Sequence, residues 1–291
     1  MDPLAVAFRL GNFATLSLLT GVPLFLRMSL GGAEAKAILE RYRTLLTLLA
    51  ATALATSLCG ILATAASMAG TDIFPVDWET VELVVRSTTI AQLAMVRVGL
   101  LLLLIVILFC DEERHPVLLL MLSSAAAATL AWSGHAASGE NLLGWVHRLA
   151  DVMHILAAAL WIGGMAALIL LLPDPDYRRT AKMLHAFSWI GSGIVSLLVI
   201  SGLVNLALIV PIDRLMALPE TQYGRLLALK LLLFMVMLLL AANNRFRLSP
   251  RFDRQAPNTA KALRSAIAIE LLIGFAVLTL VAWLGTLDPE L

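Results

Sequence analysis

Long apolar runs, each close to the length that crosses a hydrocarbon layer, recur along the whole chain and are separated by short polar connections. About 20 consecutive apolar residues in helical form span a core of roughly 30 Å. On that measure the pattern predicts eight spans, at about 4–26, 44–69, 87–110, 116–133, 146–172, 183–210, 225–243 and 264–286. Together they predict an all-α fold, a polytopic membrane helix bundle with eight transmembrane helices forming a single domain over 1–291. The first run lacks a basic leader and a small-residue cleavage pattern and contains Arg9 and Asn12, so it reads as a span and not as a signal peptide.

Composition strengthens this picture. Of the 291 residues 60% are hydrophobic and 14% charged, with a mean hydropathy of +0.90, far too apolar for an ordinary soluble domain. The net charge of +1 and the lack of a basic arm exclude nucleic acid as an expected partner and leave membrane lipid as the surrounding medium. Cys59 and Cys110 differ in expected depth and offer neither a disulfide nor a CxxC site. Basic residues resist translocation, and they collect in alternate connections: Arg27 to Arg43, Arg114, Arg178 to Lys182, and Arg245 to Arg264. Those connections are expected in the cytoplasm of a bacterial inner (plasma) membrane protein, with both termini periplasmic.

Against this apolar background one stretch stands out, WSGHAASGENLLGWVHRLADVMHILAAALWIGG. His147, Asp151 and His154 lie at i, i+4 and i+7, so a helix places them on one stripe. Imidazoles and carboxylates in that pattern are candidate metal ligands, with His135 in the preceding loop as a fourth. Imidazoles at i and i+7 sit about 10 Å apart along the axis, which favours successive positions on a path over one compact chelate. Asp151 would link them as ligand, hydrogen-bond acceptor or relay. Methionine sulfur suits cuprous ion, and Met165, eleven residues beyond His154, falls near the same stripe at greater depth, with Met95 a weaker candidate. WIGG is expected to allow close helix packing, and Gly202 and Asn205 mark a place where the sixth span packs closely or deforms.

Ionisable groups inside spans are candidates for function, with pairing inside the bundle as the competing reading. Arg9, Arg97, Lys230 and Asp151 are grouped by depth and could form one polar network. Glu270 lies at another depth and is expected to be structural; His115 and His185 are expected in solvated connections. No nucleophile and base pair, Walker loop or nucleotide fingerprint occurs, so no enzyme activity is expected.

These residues carry a resemblance. GHAASGE followed by HRLADVMHILAAALWIGGM, then FSWIGSGIVSLLVISGLVN, YGRLLALKLLLFMVMLLLAANNR and IELLIGFAVLTLVAWLGTLDP, in that order and spacing, resemble the CopD (also PcoD) copper-resistance membrane proteins. The likeness covers nearly the whole chain. It implies eight spans, a copper ion as cargo, copper homeostasis by transport across the inner membrane, and a periplasmic CopC-like copper-binding protein as partner. Carried over by position, it points to His135, His147, His154 and Asp151, and to Tyr223, Gly224, Arg225 and Lys230 of the seventh span. One departure is clear: family members often carry a histidine in the first span, in a run like RFLH, where this chain reads FRLGN with Asn12, a poor substitute for an imidazole ligand. Two alternatives stand beside the transport reading. One is a b-type haem electron-transfer protein, limited by depth to His135 with a fifth-span histidine or to a His and Met pair. The other is a non-transporting sensor or dock for a periplasmic copper chaperone.

Overall fold

The structure is a computed structural model that describes residues 3–110, 116–133, 142–172, 177–210, 216–254 and 257–287. No strand occurs among the described residues, and seven helices are long and apolar enough to cross a membrane. In lipid the backbone has no water to bond, so a spanning segment must satisfy its own N–H and C=O groups, and a helix does so.

The first half contains α1 (Pro3–Leu30), the short amphipathic α2 (Gly32–Arg41), α3 (Arg43–Ala69), α4 (Trp78–Ser87), α5 (Thr89–Cys110) and α6 (Pro116–Ala128). The second contains α7 (Leu142–Leu171), α8 (Tyr177–Ile209), α9 (Gln222–Asn243), the one-turn α10 (Ser249–Asp253) and α11 (Thr259–Leu284). A π-helical turn, Asn244–Leu248, joins α9 to α10 in one continuous rod. Local chemistry sets several ends. Gly70 closes α3 in the left-handed conformation at φ 67°. Asp77 caps α4 by accepting the Glu79 and Thr80 N–H groups, and Thr221 caps α9 by accepting the Gly224 N–H at 2.9 Å.

The expected fourth span, 116–133, is the one that differs. Its α-helix stops at Ala128 after 13 residues, about 20 Å of rise, too short to cross alone. The five residues Thr129–Ser133 continue it as a tighter 3-10 turn that rises about 2 Å per residue.

Two four-helix groups make up the bundle. α1, α3, α5 and α6 pack together, as do α7, α8, α9 and α11, and α1 joins the groups by running along α7 and touching α11. One buried core crosses that junction, with Leu16, Leu19, Phe25 and Leu26 of α1 against Ile162, Met165 and Leu168 of α7. Outward-facing leucines such as Leu48, Leu102, Leu203, Leu232, Leu239 and Leu272 are exposed, as a hydrocarbon-facing surface requires. α1 and α7 meet backbone to backbone at Gly21 and Gly163, where a side chain on either would collide with the other helix. The WIGG glycine thus serves close packing, as its composition implies.

At the end of the bundle opposite the chain termini, polar ties fix the short helices. Arg179 of α8 pairs with Glu34 of α2 at 2.6 Å, and Lys182 donates to the Leu30 carbonyl at 3.1 Å. Tyr177 donates to the Phe252 carbonyl at 3.0 Å and stacks on its ring. His185, expected in a solvated connection, is exposed at the start of α8 and lies 3.2 Å from Asp253.

Candidate functional site

α7 presents its polar stripe to α8. Asp151 Oδ1 accepts a hydrogen bond from Asn205 Nδ2 at 2.6 Å, and His154 Nδ1 lies 2.9 Å from Ser201 Oγ. Asp151 and His154 are three residues apart and Ser201 and Asn205 four, so each pair stacks on one helix face and the two faces meet as a ladder of two rungs. Gly202 sits under the imidazole, where a Cβ would lie 3.6 Å from His154 Cε1, in ordinary contact. The SGLVN segment therefore packs closely without deforming: α8 runs unbroken through it.

Hydrogen-bond direction sets the chemistry of the imidazole. Ser201 Oγ donates its one proton to the Leu197 carbonyl at 2.6 Å, so toward His154 it accepts. Nδ1 then carries the proton, and Nε2 of the neutral ring holds the lone pair that a metal ion would take.

His154 also lines a cavity of about 250 Å³ bordered by α7, α8, α9 and α11 and open on the side of the exposed Val199, Leu203 and Leu231. Its walls are almost wholly apolar, with Trp161, Leu198, Phe234 and Met237 among them, and Lys230 of α9 is its basic group. The Lys230 ammonium attracts Asp151 but forms no direct ion pair with it among the described residues. Tyr223, buried near the start of α9, also lies within reach of the Asp151 charge. At the inner end of the cavity Met237 and Gly274 of α11 form the wall, and Met165, fully buried outside that lining, also approaches Gly274: the Met165 and Met237 methyl carbons lie 3.8 and 3.5 Å from where a Cβ would stand. Met165 thus lies deeper on the α7 stripe, with a second thioether, from Met237, that the stripe alone did not reveal.

The other sequence candidates fall elsewhere. His147 is buried on α7 nearly two turns before His154, beside Arg148, which covers the Trp145 ring at 4.9 Å. His135 lies outside the described residues. Among the described residues no three His, Cys, Asp or Glu side chains converge as a metal cluster.

The network grouped by depth divides in two. Arg97, buried in α5, donates from Nε to Thr129 Oγ1 at 2.7 Å in the 3-10 turn, with Arg9 of α1 close enough for the two charges to repel. Both belong to the first helix group, whereas Asp151 and Lys230 belong to the second. Asn12 is buried and employed: its Oδ1 accepts from Ser57 of α3 at 2.7 Å and its Nδ2 donates to the Phe8 carbonyl at 3.2 Å. The amide fastens α1 to α3. Met95 is exposed on the outer side of α5.

Glu270, expected to be structural, is fully buried in α11 and joins three elements. Its Oε1 accepts from Trp161 Nε1 of α7 at 3.0 Å and its Oε2 from Asn244 Nδ2 at 2.9 Å. Trp161 lies buried in the middle of α7, deeper than an interfacial aromatic belt, and its indole N–H finds its acceptor in this carboxylate.

A polar ladder and a soft-walled cavity inside a bundle of apolar helices define a polytopic membrane protein with internal polar sites. Comparison with known proteins narrows the class. A family model described as copper resistance protein D-like, N-terminal domain, matches residues 1–145, and one described as copper resistance protein D matches residues 181–284. The chain is 34% identical to copper resistance protein D of Pseudomonas syringae pv. tomato over 307 aligned positions, covering 100% of this chain and 98% of the relative. It is 32% identical to the inner membrane protein YebZ of Escherichia coli (strain K12) over 55% of each chain. With the copper transport protein CutJ of Bacillus subtilis (strain 168) the identity is 35%, over 51% of this chain and 27% of the relative. No solved structure matches the chain. The chain belongs to the copper resistance protein D family, and is a copper-related, multi-pass inner membrane protein. The two matched stretches fall largely on the first and second helix groups.

Proposed function

We propose that the protein accepts copper on the periplasmic side and carries it across the inner membrane as a carrier without enzymatic activity. The observation that supports this best is the ladder of Asp151 and His154 on Asn205 and Ser201, opening on a cavity that reaches the Met237 thioether, with Met165 buried close to it near Gly274. Nitrogen and carboxylate donors come first and soft sulfur lies deeper, an order that lets an ion pass between sites each weak enough to release it. Lys230 supplies the counter-charge to Asp151 while the path is empty, and an entering copper cation competes with it for the carboxylate.

In this reading α6 and its 3-10 turn make the eighth crossing, which places both termini and the histidine-bearing end on the periplasmic side. The basic residues of α2, the start of α8 and the end of α9 then face the cytoplasm. A periplasmic CopC-like protein would deliver copper to His147 and His135 at the mouth. The haem alternative gains no support from the cavity, where His154 is the one imidazole among the described lining residues. An optical spectrum of the purified protein with a Soret band would revive it.

The test is copper accumulation by proteoliposomes containing the wild type, His154→Ala or Asp151→Asn. Wild-type vesicles are expected to accumulate copper at least tenfold faster than either variant. Equal accumulation by all three would remove the path from α7.

A further inference from the structure

We propose that the Glu270 carboxyl is a proton-binding site set in the septum between two cavities, and that it passes a proton from one to the other as copper is transported. The coupling rests on the transport reading above, whereas the proton site stands on geometry of its own.

A second cavity, of about 330 Å³, lies toward the basic end of the same four helices, lined by Phe187, Ser192, Asn244, Arg245 and Ile267 among others. The two cavities stack. On α9 the wall of the first reaches Met237 and that of the second starts at Ala241; on α11 the corresponding residues are Gly274 and Ile267. Glu270 lies between those last two, in the turn that separates the spaces. Its two oxygens are tied to different cavities, since Trp161 lines the first and Asn244 the second.

Charge accounting then bears on its state. Among the described residues no cationic side chain pairs with Glu270. Arg245 donates to Ser192 at 2.5 Å and covers the Phe246 ring, Arg247 and Arg251 are exposed, and Asp253 faces His185. Lys230 and His154 belong to the Asp151 end of the first cavity, and Arg9 lies beside Gly285, fifteen residues further along α11, about 22 Å away. A carboxylate buried without a cation carries a desolvation penalty of several kcal/mol, which taking up a proton removes.

Asn244 suits both protonation states. Its Nδ2 serves the carboxylate, while its Oδ1 is buried with no hydrogen-bond partner. Turning the amide over presents that oxygen to an O–H on Oε2. Trp161, a donor only, stays on Oε1 throughout. One O–H bond forms with a proton from one cavity and breaks by release to the other, with no change of oxidation state. Asn244 also opens the π-helical turn, a departure from α geometry that is frequent at functional sites.

Infrared spectroscopy of the full-length purified protein, at acid and alkaline pH, tests the site directly. The expected result is a carboxylic-acid C=O band that shifts in heavy water, disappears in Glu270→Gln and changes frequency in Asn244→Ala, which keeps the carboxyl. Copper accumulation in proteoliposomes under an imposed pH gradient tests the coupling. Wild type is expected to change rate at least threefold with the gradient, and Glu270→Gln to ignore it. A C=O band set that neither variant alters would overturn the proton site. An unchanged gradient response in Glu270→Gln would overturn the coupling. Wild-type vesicles that accumulate no copper under any gradient would instead overturn the transport reading, leaving the infrared result to decide the proton site.

Discussion

Replacing Gly21 by alanine tests the junction on which both helix groups depend. The added methyl would lie 2.9 Å from Gly163 Cα and 2.6 Å from the Ala159 carbonyl carbon, and would press directly on the Ala159 oxygen. Carbon atoms in contact prefer about 3.5–4.0 Å, so α1 and α7 must part by about 1 Å to admit it. A gap of that size forfeits about a quarter to a half of the attraction in each contact it opens. Lipid tails are as apolar as the side chains, so dispersion is what holds such helices together and hydrophobic burial adds little. Overpacking in a close-packed interior costs about 1–3 kcal/mol, and the backbone contact places Gly21→Ala near the upper end. The comparison is Gly99→Ala on α5, where a Cβ meets nothing within 4 Å. Relief of glycine's unfavourable helix propensity makes that change neutral or stabilising by up to about 1 kcal/mol. Unfolding of both variants in mixed detergent micelles, followed by circular dichroism, measures the difference. Midpoints that agree to within about 0.5 kcal/mol would show that α1 and α7 do not meet at Gly21 and Gly163.

Ser201→Ala removes the acceptor that fixes the His154 ring, and losing such a partner typically weakens metal affinity by about 10- to 100-fold. A competition titration reads this, and an unchanged Kd would detach Ser201 from the site. Asn12 and Ser57, hydrogen-bonded and buried between α1 and α3, are expected to show a coupling of about 0.5–3 kcal/mol in a double-mutant cycle with alanine; additive effects would refute the contact. Asp77, at the exposed cap of α4, is held below the ordinary aspartate range by the Thr80 hydroxyl first and by backbone N–H groups after it. Because folding lowers its pKa, the cap is fully effective above the unfolded value and is lost as pH falls through the folded one. Amide exchange at Thr80 should accelerate across that window in wild type and not in Asp77→Asn, and equal profiles would count against the cap.

Span positions were legible because lipid permits few alternatives to a continuous apolar helix, and seven of the eight expected runs became long helices. The exception, 116–133, was apolar enough; the tightening of Thr129–Ser133 has no compositional mark and accompanies the hydrogen bond from Arg97 to Thr129. The stripe of His147, Asp151 and His154 followed from helical arithmetic, but which helix it faces depends on packing, so Ser201 and Asn205 went unrecognised as partners. Depth alone grouped Arg9 and Arg97 with Asp151, and depth does not say that the bundle is built from two groups. Trp161 and Glu270 lie 109 residues apart, and no local pattern joins them.

The π-helical turn at Asn244–Leu248 also governs how this chain tolerates a change in length. A π turn holds one more residue than the α-helical turn it replaces, so it behaves as a stored insertion. Deleting one residue after Asn244 would restore regular helix with the phase beyond it kept, whereas straightening the turn with all its residues in place would rotate everything beyond by about 100°. In the straightened rod the grip of Asn244 on Glu270 would survive, while Phe252 and Asp253 would swing away from Tyr177 and His185. The interior of the bundle and its basic end are thus kept in phase by the turn that absorbs a single extra residue.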